Sequence, residues 1–373
     1  MRCIFPLMIM LLSLLLTACE GQAPQNTTTI RVDQAMGGQP DPAFARALEP
    51  RAFQFPQDHG AHPEFATEWW YLTGNLRSEN GQRFGYQLTL FRVGLRPGQV
   101  QQDSSWRTNQ VYMGHLAISD IAAARHYSTE RFARAAAGLA GARLEPFEVW
   151  LGPWSMRADR KQSSFIVSAE QDDIGISLQL LPGNKRMILQ GERGLSRKSA
   201  TPGNASFYYS FTRLPTRGEI RVGDKFYTVE GNSWMDREWS SSALDKDQAG
   251  WDWFALQLDD GREVMYYQMR NKQGGAHAFS SGKLVEKDGR VHTLLPNQVM
   301  LMPSRYWQAR DGQRYPVKWS MQIAEHQLDL EVEAMFDDQL MDHTVRYWEG
   351  AVGVSGSHTG KGYLELSGYD SRE

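Results

Sequence analysis

From Trp69 onward, apolar and polar positions alternate with a period of two, in short runs separated by turn residues. Trp69 to Leu76 reads as one strand and Asn80-Gly81 as a tight hairpin turn. Phe84, Tyr86, Leu88 and Leu90 form the apolar face of the returning strand. Val111 to Ser119 is predicted as a third strand, with Met113, His115, Ala117 and Ser119 on one face. Further strands are predicted at 150–157, 165–170, 174–180, 187–190 and 207–213, and the Ala-rich stretch 131–141 as a short helix or loop. Strands at this spacing predict an all-β chain of sandwich or barrel type.

The pattern then recurs. Trp251 to Leu258 loosely repeats Trp69 to Leu76, Asp260-Gly261 stands where Asn80-Gly81 stood, and Val264 to Arg270 replaces Phe84 to Arg92. Trp319-Ser320-Met321 echoes Trp154-Ser155-Met156, and Leu328 to Val332 echoes Ile174 to Leu178. Order kept across several segments predicts a duplicated β-module, with domains at 51–218 and 219–373 divided near Arg217-Gly218. The 373 residues suffice for two cores.

Ahead of the modules, residues 1–18 have the pattern of an export signal peptide, and Leu16-Thr17-Ala18-Cys19 resembles the bacterial lipobox. Cys19 is therefore the expected lipidation site, followed by a disordered tether over 19–50 rich in Gln, Thr, Pro and Gly. The expected product is a periplasmic lipoprotein, held to the outer membrane because Glu20, and not an aspartate, follows Cys19. Of two cysteines, one leaves with the signal and the other carries lipid, so neither serves a disulfide, a metal or catalysis. A net charge of −3 argues against a nucleic-acid partner. No nucleotide-binding loop, zinc-protease helix or serine-hydrolase elbow occurs, and no cofactor is expected.

Twelve tryptophans and an 11% aromatic content suggest an indole-lined cavity as well as ordinary cores. Glu68 lies beside Trp69 and Trp70, where apolar burial would raise its pKa; the competing expectation is a strand-end glutamate paired with arginine. By alternation Glu68 and Trp70 share one face, Trp69 and Tyr71 the other. His115 sits mid-strand, as a proton partner or a satisfied core histidine. Asp236, Arg237 and Glu238 interleave with Trp234 and Trp239, as a network lining a site or as salt bridges sealing two domains. Glu68, His115 and Asp236 are the candidate catalytic groups. Trp70, Tyr112, Trp234, Arg237, Glu238, Trp251, Trp253 and Tyr267 are the candidate ligand contacts. His59, His62 and Glu64 are expected in a surface loop, and no metal site is assigned.

Glu68-Trp69-Trp70-Tyr71-Leu72-Thr73-Gly74-Asn75-Leu76, Gly114 to Asp120 and Trp234-Met235-Asp236-Arg237-Glu238-Trp239 resemble the AttH-type secreted proteins, grouped with the carotenoid 1,2-hydratases. The resemblance spans about residues 51–370 and implies two tandem lipocalin-like antiparallel β-barrels that take up long unsaturated chains. It also implies a partner among ABC-type export permeases. One motif departs from the hydratases: Trp251 stands where they carry a histidine two residues before the tryptophan matched by Trp253, and Tyr267 is followed by Met269 where they carry an acid.

Two functions follow as expectations. The first is a membrane-anchored periplasmic lipoprotein that binds a hydrophobic lipid, isoprenoid or polyene. The second is an enzyme of hydratase, isomerase or cyclase type, acting by acid catalysis on an apolar unsaturated substrate.

Overall fold

The computed structural model describes residues 41–369 except 99–103, 160, 162–163, 183–186 and 243. The expected signal peptide, Cys19 and most of the tether lie outside the described residues.

The first barrel is built from β1 (Thr67–Ser78), β2 (Arg83–Gly94), β3 (Gln110–Asp120), β4 (Arg125–Arg134), β5 (Ala140–Arg143), β6 (Glu148–Leu151) and β7 (Trp154–Ala158). It continues through β8 (Phe165–Gln171), β9 (Ile174–Leu180), β10 (Ile188–Leu189), β11 (Leu195–Arg197), β12 (Ala205–Val222) and β13 (Lys225–Ser240). The second comprises β14 (Gln248–Leu258), β15 (Glu263–Asn271), β16 (Ser281–Val285), β17 (Val291–Leu294), β18 (Met300–Gln308), β19 (Arg314–Ile323), β20 (Leu328–Ala334), β21 (Leu340–Asp342), β22 (Arg346–Gly356) and β23 (Gly360–Ser367).

Pairing runs β4-β3-β2-β1-β13-β12-β9-β8-β7-β6-β5 in the first sheet and β17-β16-β15-β14-β23-β22-β20-β19-β18 in the second. The two paths run in the same order from β4 to β7 and from β17 to β18, with β1 matching β14, β13 matching β23 and β12 matching β22; β6 and β5 extend the first path alone. The fold is thus all-β, as the alternating pattern predicts, with two tandem lipocalin-like barrels, as the AttH-type resemblance implies. Gly81 and Gly261 take positive φ (87° and 96°) in the two equivalent hairpins, the conformation that Asn-Gly and Asp-Gly turns require.

Several boundaries differ from expectation. Residues 41–50 are not all tether: Phe44 and Ala47 are buried against the first barrel, and Ala45 N–H donates to Glu64 O at 2.9 Å. The expected division at Arg217-Gly218 cuts through β12, which is held by β13 on one side and β9 on the other; the first sheet runs to Ser240. The expected strand 150–157 is two strands turning at Gly152, and 131–141 contains strand and turn but no helix. The Trp154 echo also falls on the wrong strand, because Trp319 lies on β19, the counterpart of β8, whereas Trp154 lies on β7.

Each barrel interior is filled. Leu72, Leu76, Phe84, Leu116, Trp154 and Val167 belong to the first core; Phe254, Leu256, Tyr315, Trp319 and Leu364 to the second. Two further clusters join the barrels, one around Tyr71, Tyr208, Trp234, Trp253 and Tyr363, the other around Phe91, Met113, Ala117, Met341 and Tyr347. β1 is therefore buried on both faces, one toward its own barrel and one toward its neighbour.

Gly85 marks how closely the barrels approach: a Cβ there would lie 2.6 Å from the Tyr363 hydroxyl and 2.8 Å from Ala351 Cβ. Gly85→Val is expected to destabilise the protein by about 1–3 kcal/mol through overpacking. Thermal unfolding checks this; an unchanged midpoint would mean that the barrels do not pack against each other here.

Candidate active site

Register decides which side chains meet. In β1 and β13, Trp69 lies opposite Glu238, Trp70 opposite Arg237 and Tyr71 opposite Asp236. Opposed residues share a face and neighbours alternate, so Trp69, Tyr71, Asp236 and Glu238 all point toward the second barrel. β12 adds Ser206, Tyr208 and Ser210, opposite Ser240, Glu238 and Asp236. From the other side β14 presents Trp251 and Trp253, opposed by Met269 and Tyr267 on β15, while β23 and β22 bring Glu365 opposite Glu349. Between these faces lies a cavity of about 150 Å³, also lined by Phe91, Lys198, Leu244 and Tyr347. It sits at the junction of the barrels; the interior of neither barrel provides it.

Four carboxyl groups share this lining. Asp236 accepts hydrogen bonds from Ser210 Oγ (2.5 Å), Tyr208 OH (2.5 Å) and Trp234 Nε1 (2.7 Å). Burial pushes its pKa up to about 7; those bonds only partly offset the effect, and the charge of Glu238 adds to it. Glu365 is also pushed up to about 7, first by burial, despite a 2.8 Å bond from Trp251 Nε1, with the charges of Asp236 and Glu238 contributing. Glu349 stands well above the usual carboxyl range through burial and the neighbouring Glu365, and it accepts a short hydrogen bond from Tyr71 OH. Glu238 differs from these three. Ser206 Oγ donates to it, and Lys198 Nζ lies 3.2 Å away. Lys198 itself sits 4.3 Å from the centre of the Tyr267 ring. Burial opposes the lysine's charge, but Glu238 and its neighbours outweigh this and hold its pKa above the ordinary value.

The sequence candidates divide accordingly. Asp236, Glu238, Trp251, Trp253 and Tyr267 line the cavity. Trp234 and His115 stand one layer behind, Trp234 bonded to Asp236 and His115 Nδ1 2.7 Å from Tyr347 OH. His115 Nε2 also faces Glu130 Oε2 at 3.4 Å.

Four candidates lie elsewhere. Glu68 is fully buried on the opposite face, ion-paired with Arg92 and Arg237 and accepting from His62 N–H at 2.9 Å. Burial alone would raise its pKa, but the two guanidinium groups, aided by His62, hold it well below the carboxyl range. It is held in its ionised form by these partners and does not line the cavity, so it is not placed to serve as the acid. Arg237 therefore belongs to this network and does not seal the barrels; its guanidinium lies 4.0 Å from the Trp70 ring centre. Trp70 and Tyr112 belong to the first core and do not line the junction cavity. His62 is also not on the surface: its ring stacks on Trp239 at 3.8 Å and bridges Asp58 (3.1 Å) and Glu68 (3.2 Å).

The sequence pattern does not single out Tyr71, Lys198, Tyr208, Tyr347, Glu349 or Glu365. Tyr347 and Glu349, like Tyr363 and Glu365, stand two apart on their strands, which was the available signal.

Fold and site together define a protein of paired lipocalin-like barrels with an acid- and aromatic-lined cavity at their junction. Residues 46–369 match the AttH-like family model, and the chain belongs to that family. Among solved structures, an AttH candidate from Nitrosomonas europaea is 32% identical, with a TM-score of 0.78 over 87% of this chain and 99% of that one. Kievitone hydratase from Nectria haematococca shares the fold at 12% identity and TM-score 0.61, covering 87% of this chain and 98% of its own. CghA does so at 11% and 0.53, covering 90% and 98%. No curated protein sequence matches this chain.

Proposed function

We propose that the junction cavity takes one unsaturated, largely apolar segment of a small molecule and acts on it by acid catalysis. The observation that carries this is the convergence of Asp236, Glu349 and Glu365 with Tyr71 and Tyr208 inside an aromatic enclosure. About 150 Å³ is room for a ring or a short stretch of chain, not for an entire lipid tail. Asp236, half protonated near pH 7, would donate its proton to a carbon–carbon double bond. The cation left on the adjacent carbon would be stabilised by the faces of Trp253 and Tyr267. Water adding to that carbon, and losing its proton to a second carboxylate such as Glu365, completes a hydration; loss of a neighbouring proton instead gives an isomer.

The test is deuterium incorporation from D₂O into a panel of acyclic and cyclic isoprenoids, followed by mass spectrometry. Wild type should incorporate label into at least one member. Asp236→Asn should lose about 10²-fold or more of that rate while still quenching tryptophan fluorescence on binding. Label incorporation undiminished in Asp236→Asn would remove Asp236 as the acid.

The second function, a binder of a hydrophobic molecule, is favoured by the aromatic walls of the same cavity. A tightly held molecule extractable from native protein, with no labelling of any panel member, would establish it instead. We also propose that Cys19 carries lipid on the periplasmic side of the outer membrane, where an ABC-type permease would be a partner. Radiolabelled palmitate should enter the wild-type chain and not Cys19→Ala.

A further inference from the structure

Far from the junction cavity, at the rim of the second barrel, Glu286, His292 and His326 bring three ligand atoms within 4.8 Å of one another. Glu286 follows β16 and His292 lies on β17, across a tight turn in which Glu286 N–H donates to Arg290 O at 2.8 Å. His292 pairs in register with the buried Leu284, so Glu286 and His292 both stand on the inward face of this hairpin. His326 ends a single 3₁₀ turn, Ala324–His326, between β19 and β20, and Arg262 Nη1 anchors its carbonyl at 3.2 Å. The charge of Arg262 is taken up by Asp260, 2.7 Å away.

The spacing is informative. His292 Nε2 is 3.6 Å and His326 Nδ1 3.8 Å from the same atom, Glu286 Oε1. Both are longer than a hydrogen bond. Two donors bound tetrahedrally to one zinc ion at 2.0–2.1 Å stand roughly 3.3–3.5 Å apart. The imidazole rings lie only 4.6 Å apart, centre to centre.

We propose that Glu286, His292 and His326 form a binding site for a divalent transition metal, zinc in the first instance, with an open fourth position for water. Two imidazoles and one carboxylate suit zinc better than the hard, oxygen-seeking ions calcium and magnesium. The position gives the ion a structural role. β17 ends the strand path at one side of the second sheet, while β18, β19 and β20 lie at the other. A metal held by the β16–β17 hairpin and the β19–β20 turn would tie the two ends of the sheet together and close the barrel rim.

The test uses the untagged full-length chain, stripped with chelator and titrated with zinc by calorimetry and with cobalt(II) by visible absorption. One equivalent should bind, cobalt should give a tetrahedral spectrum, and saturating zinc should raise the thermal midpoint by several degrees. His292→Gln with His326→Gln should weaken binding by about 100-fold or more and abolish the zinc-dependent rise. The metal-free midpoint should stay unchanged, since neither ring makes a hydrogen bond to Glu286 that could be lost. Glu286→Gln should weaken binding less. Absence of saturable binding of one equivalent, or equal affinity in the double variant, overturns the proposal.

Discussion

Replacing Arg237 with methionine is expected to lower the unfolding free energy by about 3–5 kcal/mol, the usual effect of stranding one member of a buried ion pair. Arg237 is fully buried, pairs with Glu68, donates to Gly60 O at 2.5 Å and to Glu238 O at 3.1 Å, and stacks on Trp70. Without it, Glu68 keeps only Arg92 and His62 as partners for a charge with no access to water. Urea denaturation measures the loss. Adding Glu68→Gln to Arg237→Met should recover part of it, because the orphaned charge is then gone. Equal stability of wild type and Arg237→Met would show that the network contributes nothing. Acid should weaken it as well. A carboxylate whose pKa is depressed in the fold stabilises above its unfolded value, near 4.5, and that contribution fades as pH falls below it.

The cavity acids behave oppositely. Asp236 keeps its proton in the fold up to about pH 7, whereas the unfolded side chain ionises near 3.8. Across that window the native state holds more protons than the unfolded state, so stability declines as pH rises and levels off above 7. Asn cannot ionise, so Asp236→Asn should gain on wild type by about 4 kcal/mol between pH 4 and pH 7, at 1.4 kcal/mol per pH unit. The difference between the two proteins is the quantity to follow. Half-buried His59 and His126, held down to about 4 and about 3 chiefly by desolvation, add stability as pH rises toward 6.5 and mask the trend in wild type alone. A pH-independent difference would mean that Asp236 is ionised in the fold.

The fold was largely legible in the sequence because period-two alternation and hairpin turns are local signals. Ile174–Leu180 matches its expected limits, and both Asn80-Gly81 and Asp260-Gly261 turn as expected. The face assignments in β1 and at Asp236–Glu238 also hold. What alternation could not supply is which face meets which body. Glu68 and Trp70 share a face, but that face meets Arg92 and the first core. Trp69 and Tyr71, on the other side, reach the cavity. Both faces of β1 are buried, so hydrophobicity could not rank them. Glu349 and Glu365 come together with Asp236 only through docking of the barrels, a long-range event that no local pattern records. Lys198 follows the short β11 and carries no periodic signal at all.

The cavity is walled by the same strands in each module: β1, β2, β12 and β13 on one side, their counterparts β14, β15, β22 and β23 on the other. A solitary ancestral module would have had half a vessel and could complete it only by meeting a second copy of itself. With both modules in one chain, that encounter is intramolecular and free of dilution. The two halves supply it differently: the first contributes Asp236, Glu238 and Lys198, the second Glu349 and Glu365.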